Sequence, residues 1–115
     1  MRRGGWHVLR DGAVLVLTRQ VPPRFDVVAA GRFPTVRRER LATQIRQDLW
    51  RALQGQRGFS PVVEVTDRGD FVEVRAGGRV AAGGFDRAGL EARIEAVLAE
   101  PRNRARWLRC AGRAG

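Results

Sequence analysis

A chain of 115 residues with 43% hydrophobic content is long enough to bury one core and too apolar to stay disordered. One cysteine, Cys110, excludes an internal disulfide, and no run approaches the roughly 20 apolar residues of a membrane span; a single cytoplasmic domain is expected. The net charge of +10 comes from 22 arginines, with no lysine, against 12 acids; coding bias explains the choice of arginine but not the excess.

Arg2 and Arg3 open the chain, but the apolar run "AVLVL" that follows is too short for a signal-peptide core. "WHVLRDGAVLVLT" predicts a hairpin over 6–19 with Asp11-Gly12 as a type I′ turn. Pro22-Pro23 ends it, since proline donates nothing to a ladder. "FDVVAA" reads as a third short strand closed by "GRFP", and Thr35 as the N-cap of a helix over 36–54. At about 100° per residue, Leu41, Ala42, Ile45, Leu49, Ala52 and Leu53 share one face of that helix.

After "GQRG", residues 61–82 predict a hairpin and a further strand. Val63, Val65, Val72 and Val74 face one way there, and Asp67–Asp70 forms the exposed tip. Asp86 caps a helix over 87–99 whose buried stripe is Leu90, Ile94, Val97 and Leu98. Pro101 stops it and opens a last helix, 101–111, ended by Gly112. The expected fold is α+β, one small domain over 1–115. Its antiparallel sheet has four to six short strands, with an amphipathic helix and two C-terminal helices in the order ββ(β)–α–βββ–αα. The expected core joins Leu41, Ile45 and Leu49 to the four valines and to Leu90, Ile94 and Leu98.

The positive charge is uneven. Residues 1–36 carry six arginines and two aspartates, residues 37–57 six arginines and two acids, and residues 101–115 five arginines and no acid. Residues 58–100 carry eight acids and five arginines. Within the first helix, Arg37, Arg40, Gln44, Gln47, Arg51 and Gln54 recur in 3- and 4-residue steps as one stripe, bordered by Asp48. Guanidinium forks match phosphate oxygens and side-chain amides pair with base edges, so the stripe suits a nucleic acid; a merely solvated face has the same composition. Trp50 points almost opposite Leu41, Ile45 and Leu49, where the N-terminal hairpin is expected to cover it. Left uncovered, it is an aromatic beside Arg46 and Arg51, able to stack on a base or anchor a protein. The last helix carries a second stripe, Arg102, Arg106, Arg109 and Arg113, opposite Trp107, Leu108 and Ala111. With no internal acid to offset their repulsion, an external anion would stabilise it.

Catalytic signals are weak. One His, one Ser and one Cys barely allow a nucleophilic pair, His7 falls in a strand, and no cluster has metal-ligand spacing. The Gly-rich "AGG" and "AAGG" at 76–84 read as turns rather than phosphate cradles. Glu64 and the "EVR" at 73–75 resemble the hairpin carboxylates of metal-dependent nucleases, but Arg75 stands where those enzymes use lysine and the upstream aspartate is missing. The order α–β–β–β–α over 36–99 is similar to that of a double-stranded-RNA-binding domain, although "DRAGLEAR" replaces the lysine cluster that opens the second helix there. The expectation is a small basic nucleic-acid-binding protein using salt-dependent phosphate contacts, without catalysis, cofactor, metal or membrane partner. The alternative is a structural or adaptor subunit of a larger protein assembly, since tryptophan plus arginine is also an interface composition.

Overall fold

The run "VLVLT" alternates branched apolar side chains, which suits a pleated strand with one face buried. In the computed structural model, which describes residues 2–81 and 83–112 (2 and 3 by their backbone alone), it forms β3, Val14–Thr18, paired with β2, Trp6–Asp11. Asp11 pairs with Val14, so the turn is Gly12-Ala13 rather than Asp11-Gly12. Of these two turn residues only Gly12 has positive φ, +58°. That matches a type II′ turn, which needs one left-handed residue at its first central position, whereas type I′ needs two and would have forced Asp11 into that region.

Before β2 comes β1, Arg2–Arg3, and after β3 come β4, Val27–Pro34, and the helix α1, Arg38–Ala52. The long hairpin β5, Phe59–Asp67, and β6, Phe71–Val80, leads to helices α2, Arg87–Ala99, and α3, Pro101–Ala111. All pairings are antiparallel, in the order β1-β2-β3-β5-β6-β4. The α+β class, the sheet and the three helices are those expected.

Three local readings need correction. "GRFP" does not close a strand: β4 runs through to Pro34, which an edge strand tolerates because its outward N–H is not needed for pairing. Thr35 does not cap α1. Its hydroxyl donates to Gly69 O at 3.2 Å, Val36 is drawn into the core, and the helix starts after an extended Arg37 with no side-chain cap. The "AGG" at 76–78 is not a turn, and among the described residues no third strand follows it; β6 passes straight through Gly77 and Gly78. A Cβ on Gly77 would lie 1.9 Å from Val27 O, and one on Gly78 2.1 Å from Ser60 O, so only glycine admits the neighbouring backbones here. The order after α1 is therefore β–β–α, and the likeness to the double-stranded-RNA-binding order is lost.

All three helices pack on one side of the sheet. Leu41, Ile45, Leu49, Val63, Val65, Val72, Val74, Leu90, Ile94 and Leu98 are buried in one cluster, together with Leu15, Leu17, Phe33 and Trp107. The opposite face carries the row Val16–Glu64–Arg75–Ala30. Asp86 caps α2 by accepting from Gly89 N at 3.0 Å, and Pro101 begins α3. The edge strand β4 is covered by side chains: Glu91 of α2 accepts from Val28 N at 3.0 Å, and Arg104 of α3 donates to Arg32 O at 2.6 Å. No described helix is long and apolar enough to cross a membrane.

The 19–26 connection is tied to the sheet by Asp26, whose Oδ2 accepts from Arg24 Nη2 at 2.9 Å and from Val80 N at 2.8 Å. The Arg24 hydrogen bond first, and then the Val80 N–H, hold its carboxyl below the ordinary 3.8. The unfolded carboxyl therefore takes up a proton at higher pH than the folded one. The stability it contributes is complete above that ordinary value and is lost as pH falls through the folded one. Asp26→Asn should be less stable than the parent in urea at neutral pH, and the gap should close in acid well below pH 3.8. A gap unchanged by pH would mean the carboxylate charge contributes nothing.

Candidate nucleic-acid interface

The apolar face of α1 turns Leu41, Ala42, Ile45 and Leu49 into the core, which leaves its far flank to solvent. Arg37, Arg40, Gln47, Arg51 and Gln54 are exposed and Gln44 is half-buried, so the stripe lies on the surface as its spacing implied; Gln54 falls just beyond the helix end.

The second stripe divides. Arg102 and Arg109 are exposed, whereas Arg106 donates to Asp48 Oδ2 on α1 and so holds the two helices together. The same oxygen accepts Trp107 Nε1 at 2.5 Å, and Arg51 Nη1 stands 3.5 Å from Oδ1. Asp48 is thus the polar pin between α1 and α3, and Arg106 is withdrawn from the expected contact set. Arg113 lies outside the described residues. Because α3 lies along α1, with Cys110 lining a shallow recess beside Arg40 and Gln44, the exposed arginines of both helices occupy neighbouring elements.

Trp50 is not covered by the hairpin; it is 51% exposed. The hairpin does approach α1, fixed at its first turn by Arg10 Nη2 to Glu39 Oε1 at 2.8 Å and by Arg38 Nη1 to Ala13 O at 2.7 Å. At its other end, however, Trp6 meets Arg46, one helical turn before Trp50, and the cover stops there.

That junction brings Arg46 together with Trp6 and Arg19, two residues the sequence did not single out. Arg46 Cζ lies over the Trp6 ring at 4.6 Å from its centroid, and Arg19 Cζ at 5.2 Å. With Gln20, Trp50, Gly58 and the start of β5, Phe59 to Pro61, they line a groove of about 640 Å³. Arg46 Nε is buried without a hydrogen-bond partner. Among the described residues no carboxylate is within ion-pair distance of Arg19 or Arg46. Burial, and after it the charge of Arg19, pull the Arg46 guanidinium below its ordinary value. Two mutually repelling cations are held against one indole; each cation–π contact offsets part of that, about 0.5–2 kcal/mol. The expected turn at Asp11-Gly12 hid this cluster, because it pairs Trp6 with Leu17; the observed pairing of His7 with Thr18 sets Trp6 opposite Arg19.

Glu64 and Glu73 share the sheet face away from the helices, each beside an arginine: Arg75 at 3.3 Å from Glu64 and Arg68 at 2.9 Å from Glu73. No group of three or more potential metal ligands occurs among the described residues. No known protein family, curated protein or solved structure matches this chain.

Proposed function

We propose that this chain binds nucleic acid through the exposed flank of α1 and the groove beside it. The observation that carries the reading is the pair Arg19 and Arg46, packed on Trp6 with no acid among the described residues to neutralise them. Such cations remain uncompensated until an anion arrives, and a phosphate supplies charge and acceptor oxygens together. Arg37, Arg40 and Arg51 continue the positive surface along α1, and Arg102 and Arg109 on α3 extend it. Binding is therefore electrostatic, weakly selective for sequence and steeply salt-dependent. A second reading, docking onto a protein assembly, draws on Trp50 together with Val21, itself 55% exposed.

Titration into labelled oligonucleotides over a range of salt separates the two. Log affinity should fall linearly with log salt, and replacing Arg40, Gln44, Gln47 and Arg51 together by Ala should abolish binding with the fold intact. Replacing Arg102 and Arg109 should weaken binding and lower the slope by about one per lost phosphate contact. Absence of binding at low salt, or affinity indifferent to salt, would overturn this reading in favour of protein docking.

A further inference from the structure

We infer that the groove between Trp6 and Trp50 receives a single unpaired nucleotide, its base on Trp50 and its phosphate at Arg19 and Arg46, so that the protein selects single strands over duplex. This rests on the nucleic-acid reading and names the form of the ligand.

The two tryptophans are not equivalent. Trp6 already has a guanidinium at 4.6 Å and another at 5.2 Å, whereas Trp50, among the described residues, has no ring, cation or hydrogen-bond contact. The open ring is the one available for stacking, and it lines the same groove as Arg19 and Arg46. Base and phosphate are adjacent parts of one nucleotide, and the groove offers an aromatic surface and a paired cation in the same recess. Its size, about 640 Å³, lies within the range of small-molecule sites. Gln20 and Ser60, also in the wall, provide donors and acceptors for a base edge or sugar.

Geometry then decides the strand form. In a duplex both faces of an internal base are covered by its neighbours and its edge is paired, so none is presented to Trp50 unless it is flipped out. In a single strand the base faces are accessible and stacking on an aromatic is tolerant of sequence. Arg46 deepens the preference: it lines the groove beside Trp6, so a phosphate paired with its guanidinium sits in the recess, while a regular duplex backbone tracks over the outside.

The test uses the full chain, with fluorescence anisotropy on a labelled oligothymidylate, the matching oligouridylate and a blunt mixed-sequence duplex of equal length. The parent should bind at least one single strand about tenfold or more tightly than the duplex, in line with stacking energies of exposed bases. Trp50→Ala, a change at an exposed site, should remove that preference by weakening single-strand binding about tenfold while leaving duplex binding unaltered. Arg46→Met should lose single-strand affinity and yet melt no lower than the parent, because it removes a buried donor that has no partner. Preference for either sugar leaves the inference standing and identifies the strand. Equal binding of duplex and single strands, with Trp50→Ala indistinguishable from the parent, overturns it while the nucleic-acid reading survives. No binding to any of the three at low salt overturns both.

Discussion

Trp107→Ala should destabilise the protein by about 3–5 kcal/mol, a large share of the roughly 5–15 kcal/mol that holds a domain folded. Trp107 is fully buried, its ring 6.0 Å from Phe33 at 51°, and it is the largest side chain joining α3 to the rest. Truncation opens a cavity that α1 and β4 cannot close without moving backbone. It also strips Asp48 Oδ2 of one of its two hydrogen-bond donors, leaving Arg106 on that oxygen and Arg51 3.5 Å from the other. Urea unfolding reads the loss directly. Trp107→Phe should recover most of the packing but not the Nε1–H···Oδ2 hydrogen bond, and so fall between the two. A loss below about 1 kcal/mol for the alanine variant would mean that α3 is not docked through this residue.

Gly77→Ala should have an effect of similar size from a single methyl group. The added Cβ would lie 1.9 Å from Val27 O and 2.9 Å from Val28 Cα, both backbone atoms of β4. Ordinary overpacking costs about 1–3 kcal/mol because side chains shift to relieve it. Here no side chain is in the way, so β4 itself must move off β6, and the loss should exceed that range. Gly83→Ala, where nothing lies within 4 Å, is the matched control and should melt like the parent. Equal melting of both variants would show that β4 yields easily.

What could be read in the sequence was whatever repeats with a period. The α1 face and the β5–β6 valines each recur over several residues, and all of those side chains are buried except Ala52, which is half-buried at the end of the helix. Asp86 and Pro101 were legible for another reason: a cap and a first-turn proline act within one turn of chain. Illegible were features set by contacts distant in sequence. Placing the turn at Asp11-Gly12 would pair Trp6 with Leu17; the turn at Gly12-Ala13 pairs His7 with Thr18 and brings Arg19 to Trp6. Shifting the turn by one residue shifts the pairing by two, and the Arg19–Trp6–Arg46 cluster depends on it. Asp48 reads as an ordinary surface acid until α3 folds back 58 residues later to meet it. Gly77-Gly78 carries the composition of a turn, and only the proximity of Val27 and Ser60 reveals it as strand.

The cover on β4 has a consequence for how copies of this protein meet. A sheet grows into a fibril only if each molecule offers two free edges, one to accept a neighbour and one to pass the pairing on. Along β4 the Val28 N–H is already bonded to Glu91 and the Arg32 carbonyl to Arg104, so that side cannot receive a strand without undoing contacts to α2 and α3. Among the described strands, the edge bounded by β1 and β2 remains. Two molecules meeting there would form a closed pair with both outer rims blocked. Edge-to-edge strand pairing would then stop at two.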